Sequence, residues 1–329
     1  KIVLLIVLAA AALLSFFAHQ LVLVESARAS QSTSELAARE SLYSRLAVRE
    51  TKDGTRGLLV NEGLGVQSLY HPDKILTNYY WDFAALPPLL NPEGKSYAVI
   101  GVGGGTVPRI VHHFFAKLAV YAIELDADMS ALGEEFFSFN ETGARAIVED
   151  GRRFLQYTEN RYDFILIDVY ANEFMIPFQL ATAEFFELAR SRLTENGIVV
   201  MNIATFTPDA VSKTTPDAVS KSKPYAVTKT TLDAVSTSGM PVANNTLREA
   251  ITNTFASVFP SVYELEIPKS TNVLLFGAHD KALLAAMPDF IPEPLKPLFN
   301  YYRQHVRKVK FIPENTVFSD DKSAIELLY

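Results

Sequence analysis

The sequence predicts an α/β fold built on a doubly wound, mostly parallel, seven-stranded sheet. Three observations carry that prediction. Five short runs, 97–101, 119–125, 144–149, 162–168 and 197–203, are apolar almost throughout, as strands covered on both faces are. Helix-like runs at 107–117, 128–138, 151–158 and 181–193 separate them, so the strands lie parallel and are joined by right-handed crossovers. A glycine cluster and several acids stand at the carboxyl ends of these runs, the edge where open α/β sheets bind ligands. After a helix at 246–258, the runs 261–267 and 272–278 supply the remaining two strands.

Composition narrows the function classes. The chain has 329 residues, 49% of them hydrophobic, which is enough for a large core and excludes a disordered protein. Lys and Arg number 30 against 37 Asp and Glu, a net charge of −7. A nucleic-acid partner is therefore not expected. With no Cys, disulfide scaffolds, thiolate zinc sites and thiol nucleophiles are all excluded.

Taken in order, residues 1–24 come first. Residues 2–24 are apolar except for Ser15, His19 and Gln20, and at 1.5 Å per residue they can cross a hydrocarbon core of about 30 Å. A transmembrane helix is expected. A cleaved signal segment with Ala27-Arg28-Ala29 as its processing site is the alternative. A first residue of Lys1 rather than Met fits a processed chain or a fragment. Residues 25–42 are small and polar and read as a linker. Residues 43–90 read as a small β unit, with strands at 44–49, 57–61 and 66–70, a hairpin turn at Lys52-Asp53-Gly54 and a helix over 79–90 closed by Pro87-Pro88 or Asn91-Pro92. Residues 91–329 form the α/β domain. It is interrupted at 207–238 by an insertion in which Ala-Val recurs every eight residues, a low-complexity surface segment.

The first strand of the domain runs into Gly101, Gly103, Gly104 and Gly105, then Thr106 and a helix. Glycines there permit positive φ and bring backbone N–H groups close to a ligand. Thr106 stands where a dinucleotide-binding loop would place its last glycine, so NAD fits less well than an adenosyl sulfonium. Glu124 ends the second strand, where an acid accepts from ribose hydroxyls. Glu149, Asp150 and Gly151 end the third, where an adenine amino group is read, and Asp168 ends the fourth.

The runs 97–105, Ala122-Ile123-Glu124-Leu125-Asp126, Glu149-Asp150-Gly151 and 162–168 resemble class I S-adenosylmethionine-dependent transferases. Together with Gln67, residues 176–185 and Phe318-Ser319-Asp320-Asp321-Lys322, the chain resembles the spermidine synthase (polyamine aminopropyltransferase) family, of the bacterial membrane-associated type. The resemblance covers roughly 40–205 and 245–329. It implies a methyltransferase-like fold, a transferase activity and decarboxylated S-adenosylmethionine as co-substrate. Gly101, Gly103 and Gly105 would cradle the methionine-derived part, Glu124 the ribose, Asp150 and Gly151 the adenine. Gln67 would close the site from the β unit. Asp168 would be the base for an amine nucleophile, putrescine or a relative, with Tyr79 and Tyr170 beside it. Read from the residues alone, Tyr70, Tyr79, Tyr80, Trp81 and Tyr170 fit either an aromatic wall around an ammonium group or core aromatics.

Two departures bear on the substrate. Gly104 stands where the family usually carries Asp, and Asp168-Val169-Tyr170-Ala171-Asn172 replaces the family's Asp-Ser-x-Asp-Pro, with Glu173 or Asp73 as substitute acids. S-adenosylmethionine-dependent methyl transfer, and a catalytically silent nucleoside-binding domain of a membrane protein, therefore stay open as alternatives. No metal is expected: His112 and His113 are adjacent in a helix and cannot share a face. Asp320 and Asp321 fit either a solvated turn or a structural or site-lining role. Arg303, Arg307, Lys308 and Lys310 read as a solvated helix face, with contact to anionic headgroups as the alternative. Family members are often dimers, so a homodimer is compatible. Because such co-substrates are made in the cytosol, a membrane-anchored enzyme would face the cytoplasm; a chain exported after signal cleavage is the alternative.

Overall fold

The computed structural model describes residues 33–61, 65–171, 175–204, 243–268, 270–279 and 287–321. The apolar segment 1–24, the period-eight segment 207–238, Asn172 and Glu173 lie outside the described residues. Among the described residues no helix is long and apolar enough to cross a membrane.

Two sheets organise the chain. The smaller is an antiparallel meander of β1 (Thr33–Glu40), β2 (Arg45–Thr51), β3 (Arg56–Val60) and β4 (Gly65–Tyr70). The turn at Asp53 and Gly54 forms as expected, with Gly54 at φ 84° and Thr51 donating its hydroxyl to Asp53. Strand β1 lies within the stretch read as a linker. Its polar composition is that of an edge strand, paired on one side by β2 and exposed along most of its length. Leu46, Val48, Leu58 and Val60 point from this sheet onto Leu132 and Phe137, so the unit has no core of its own and rests on the larger domain.

The helix expected over 79–90 is a 3₁₀ turn, Tyr80–Ala85, followed by α1 (Leu86–Leu90). Pro87 and Pro88 sit inside the first turn of α1 rather than ending it, since the N–H groups missing there have no intrahelical acceptor in any case.

The larger sheet has eight strands in the order β12-β10-β11-β9-β8-β5-β6-β7. Strands β5 (Ser96–Ile100), β6 (Ala119–Glu124), β7 (Arg145–Val148), β8 (Tyr162–Ile167) and the first-paired part of β9 (Leu193–Ala204) run parallel. Strands β10 (Ser261–Glu266) and β11 (Asn272–Ala278) close the sheet antiparallel. The intervening helices are α2 (Thr106–Phe114), α3 (Ala127–Phe136), α4 (Gly151–Tyr157), α5 (Ala183–Ser191) and α6 (Ala243–Val258), with α7 (Lys296–His305) after β11. The eighth strand, β12 (Arg307–Val309), corrects the reading of Arg307 and Lys308 as part of a helix face. Arg307 stands opposite Glu264 in register and donates to both Glu264 and Glu266 at 2.9 Å, so opposite charges across the pair select a strand.

Side chains alternate across the central strands. Tyr97, Val99, Phe164, Leu166, Val200 and Phe276 face one layer with Ile110, Val111, Leu298 and Tyr302. Ala98, Ile100, Ile165, Ile167, Val199 and Met201 face the other, with Leu155, Phe185, Phe186, Phe255 and Phe318. This two-sided burial is why the runs read as apolar throughout. Edge strand β7 differs, with Arg145, Ala146 and Val148 exposed.

Phe255 is central to the second layer: it is fully buried, stacks on Phe259 at 4.4 Å and meets Phe186 edge-on at 5.1 Å. Phe255→Ala is expected to lower the unfolding free energy by about 3–5 kcal/mol, read from urea denaturation; a loss below about 1 kcal/mol would contradict this packing.

Candidate functional site

Strand order reverses beside β5. From it the chain winds outward through β6 and β7 on one side and through β8 and β9 on the other, so the crevice at the carboxyl ends of β5 and β8 is the expected binding edge. Backbone bonds tie the end of β5 to both neighbours there: Gly101 N–H donates to the Ile123 carbonyl of β6, and Asp168 N–H after β8 to the Ile100 carbonyl, both at 2.9 Å. Gly101 has φ 82°, and a Cβ on it would lie 2.0 Å from the Asp168 carbonyl oxygen. Only glycine satisfies both the conformation and the contact. Gly103 has φ 58°, and its Cβ would meet Ser68 Oγ at 2.7 Å and the Gln67 carbonyl at 2.8 Å.

Glu124 holds the turn from the β6 side. Its Oε2 accepts from Val102 N–H at 3.0 Å and Gly103 N–H at 2.9 Å, and its Oε1 from Asp126 N–H at 3.1 Å. Burial raises its carboxyl above the usual range, and these backbone donors pull it back. Behind the turn, Val102, Gly103, Ala122, Glu124, Ser130, Phe139 and Ala146 enclose a recess of about 10 Å³, room for about one water molecule.

The small sheet grips the same turn from the opposite side. Ser68, fully buried, accepts from Gly104 N–H at 2.7 Å. Thr106 Oγ1 accepts from Leu69 N–H at 2.8 Å and donates to the Leu69 carbonyl at 3.0 Å. The residue that departs from a dinucleotide-binding glycine pattern is thus the staple between β4 and α2. Gly104 is packed as well: a Cβ there would lie 3.1 Å from the Phe137 ring and 3.2 Å from Ser68 Cβ, so the position has little room for a carboxylate.

Asp168 is the second carboxylate of the crevice. Tyr80 donates its phenol to Oδ2 at 3.0 Å, and Asn202 donates its amide to Oδ1 at 2.8 Å. Burial pushes its pKa up to about 6; the Asn202 and Tyr80 bonds oppose that rise, and the charge on Glu124 adds to it. Burial, with Asp168 beside it, raises the Tyr80 phenol well above its ordinary value.

Gly101, Gly103, Glu124 and Asp168 therefore converge, with Gln67 brought to Gly103 through its backbone carbonyl. Gly105 begins α2, against Phe139. Asp150 caps α4 by accepting from Arg153 N–H at 2.8 Å, and Gly151 lies against Ile100, where a Cβ would be 2.2 Å from the side chain. Tyr79 packs on Trp81, and it is its neighbour Tyr80 that reaches Asp168. Tyr170 donates to the Asn202 carbonyl at 3.1 Å and accepts from Ala204 N–H at 2.7 Å. Tyr70 does not join an amine-facing wall: the guanidinium of Arg109 covers its ring at 4.4 Å and that of Arg56 approaches at 5.4 Å.

Asp320 is a structural tie. It accepts from Thr182 Oγ1 at 2.7 Å and forms a two-pronged ion pair with Arg152, which also donates to the Gln179 carbonyl at 2.8 Å. The Arg152 bond holds the Asp320 carboxyl below the usual range. His112 and His113 are exposed, and among the described residues no cluster of three or more His, Asp or Glu could hold a metal.

Sequence reasoning missed Ser68, Thr106 as a staple, and Asn202. The last had a visible signal, a lone amide in the apolar run 197–203. The staple predicts that Thr106→Val, nearly isosteric, leaves the buried Leu69 N–H and carbonyl without that partner and costs about 2 kcal/mol, measurable as a lowered thermal midpoint. An unchanged midpoint would show that β4 is held elsewhere.

A family model described as "Spermine/spermidine synthase domain" matches residues 77–230. The chain is 26% identical over 308 residues to a probable polyamine aminopropyl transferase of Bifidobacterium longum, covering 88% of this chain and 61% of that protein. It is 28% identical over 171 residues to the polyamine aminopropyltransferase of Vibrio vulnificus, covering 50% and 57%. The chain thus spans about three-fifths of the length of these curated relatives. Among solved structures, a probable spermidine synthase from Corynebacterium glutamicum superposes with a TM-score of 0.59 at 16% identity, covering 88% of this chain and 97% of that one. Spermidine synthase from Thermotoga maritima gives 0.54 at 16%, covering 87% and 81%. These likenesses show the fold of those spermidine synthase structures, and residues 77–230 match the spermine/spermidine synthase domain.

Proposed function

We propose that the chain is a spermidine synthase-like aminopropyltransferase, moving an aminopropyl group from decarboxylated S-adenosylmethionine to putrescine or a related amine. The observation that carries the reading is Asp168, a half-buried carboxylate with a pKa pushed up to about 6 that lies against the glycine turn and feels the charge of Glu124. The residues present fit the donor. Gly101 and Gly103 leave the turn without side chains, Glu124 presents a carboxylate where a ribose would lie, and Asp150 and Gly151 stand at the next strand end.

In this reading the donor supplies an electrophilic carbon next to a sulfonium and a neutral thioether as leaving group. Asp168, ionised above pH 6, takes the proton that the amine nitrogen releases as its N–C bond forms and the C–S bond breaks, the electron pair passing to sulfur. A placed base contributes about 10²–10⁴-fold, and orientation in the crevice supplies much of the rest. The crowding at Gly104 leaves the amine one acidic partner fewer than the family pattern, which favours a small amine over a long polycation.

We further propose that residues 2–24 tether the domain to a membrane with the crevice facing the cytoplasm, where donor and amine are made. Homodimerisation is compatible with this placement.

The purified full chain, given the decarboxylated donor and putrescine, is expected to form methylthioadenosine. Asp168→Asn should reduce that rate by about 10²–10⁴-fold. Since protonated Asp168 cannot act as a base, kcat/KM should fall about tenfold per pH unit below about 6. No methylthioadenosine with any di- or polyamine, together with tighter calorimetric binding of S-adenosylmethionine than of its decarboxylated form, would replace this reading with methyl transfer.

A further inference from the structure

Beside Asp168 a line of side chains runs along the carboxyl edge of the sheet, from the end of β9 to the start of β11. Asn202 is 1% exposed, so its amide must be satisfied by the protein. Its Nδ2 donates to Asp168 Oδ1 at 2.8 Å; its Oδ1 accepts from Asn272 Nδ2 at 2.9 Å; and Asn272 Oδ1 accepts from the Ser270 hydroxyl at 2.5 Å. The sheet register permits this. Asn272 pairs with Ala204 and Leu274 with Asn202, so the two asparagines are diagonal neighbours on one face.

The polarity of the line is forced. An ionised carboxylate only accepts, so Asn202 must turn its NH₂ to Asp168 and its carbonyl oxygen to Asn272. Asn272 must then present its own NH₂ and leave its oxygen to Ser270, whose hydroxyl donates. Asp168 Oδ1 is thereby kept as an acceptor, while Oδ2 faces the Tyr80 phenol.

We propose that Ser270, Asn272 and Asn202 form a positioning relay that fixes which oxygen of Asp168 acts as the base, directing the incoming proton to Oδ2. The proposal rests on the aminopropyl-transfer reading for its catalytic meaning, but the relay itself is a property of the free protein. Ser270 and Asn272 reach Asp168 through Asn202. The other titratable groups facing Asp168 are Tyr80 from the 3₁₀ turn, Tyr97 from β5, Glu124 from β6 and, through Tyr80, Tyr170. None of these changes when the relay is cut at its far end.

The test is the titration of Asp168 in the full, unliganded chain labelled with ¹³C at aspartate carboxyls, its signal assigned by its loss in Asp168→Asn. Asn272→Leu keeps size and adds no charge while removing the donor to Asn202. The Asp168 midpoint is expected to rise by about one pH unit, a tenfold change in proton affinity, because the amide that stabilises the ionised form is free to turn. Ser270→Ala should move it in the same direction by less, and this milder variant carries the test if Asn272→Leu does not fold. An Asp168 midpoint unchanged in the folded variants, even with a lowered thermal midpoint, would reduce the line to a structural contact and overturn the proposal. In turnover, the acid limb of kcat/KM should shift with the carboxyl signal. A wild-type chain that transfers no aminopropyl group while the carboxyl midpoint still shifts would sink the activity reading and leave the relay standing.

Discussion

A carboxylate removed from water must be given hydrogen-bond donors, and in this protein the donors come from the bend that the carboxylate itself organises. Glu124 draws the N–H groups of Val102 and Gly103 inward, and the turn can follow only because Gly101 and Gly103 adopt left-handed backbone with no Cβ to collide with Asp168 or Gln67. Remove that exchange and the crevice loses its floor. The position of Asp168, the seating of β4 and the start of α2 all follow from the shape of this one turn.

The small sheet is then best understood as part of the turn's support. Its own apolar residues are too few for an independent core, and they lie on Leu132 and Phe137. Its polar connections, Ser68 to Gly104 and Thr106 to Leu69, reach the turn directly. The glycine bend is held between Glu124 on one flank and β4 on the other.

Much of this was legible in the sequence because the signals were local. Apolar runs of strand length separated by helical runs specify a parallel sheet, and the acids Glu124 and Asp168 stand at strand ends whose neighbours follow from the winding rule. Strand β12 was not legible, because two of its three residues, Arg307 and Lys308, are basic and its selection as a strand comes from Glu264 and Glu266, more than forty positions from Arg307. Ser68 and Thr106 likewise find their partners 36 and 37 positions apart, a pairing no periodicity encodes. Tyr70 looked like one member of an aromatic group, yet Arg109, tied to the His71 and Lys74 carbonyls, covers its face. Side-chain identity announced the chemistry at Asp168, whereas the supporting contacts depended on tertiary neighbours.

Arg152 and Asp320, 168 positions apart, join the beginning of α4 to a segment that also bonds Thr182 and Glu184 at the head of α5. During synthesis on the ribosome, α4 and α5 emerge long before that anion exists to meet them. The guanidinium has the Gln179 carbonyl as an earlier partner, and its ion pair must await residue 320. Vectorial folding of this domain thus has a late closing step, the order expected of a contact so distant along the chain, and a nascent protein halted upstream would carry a formed sheet with one unlatched corner.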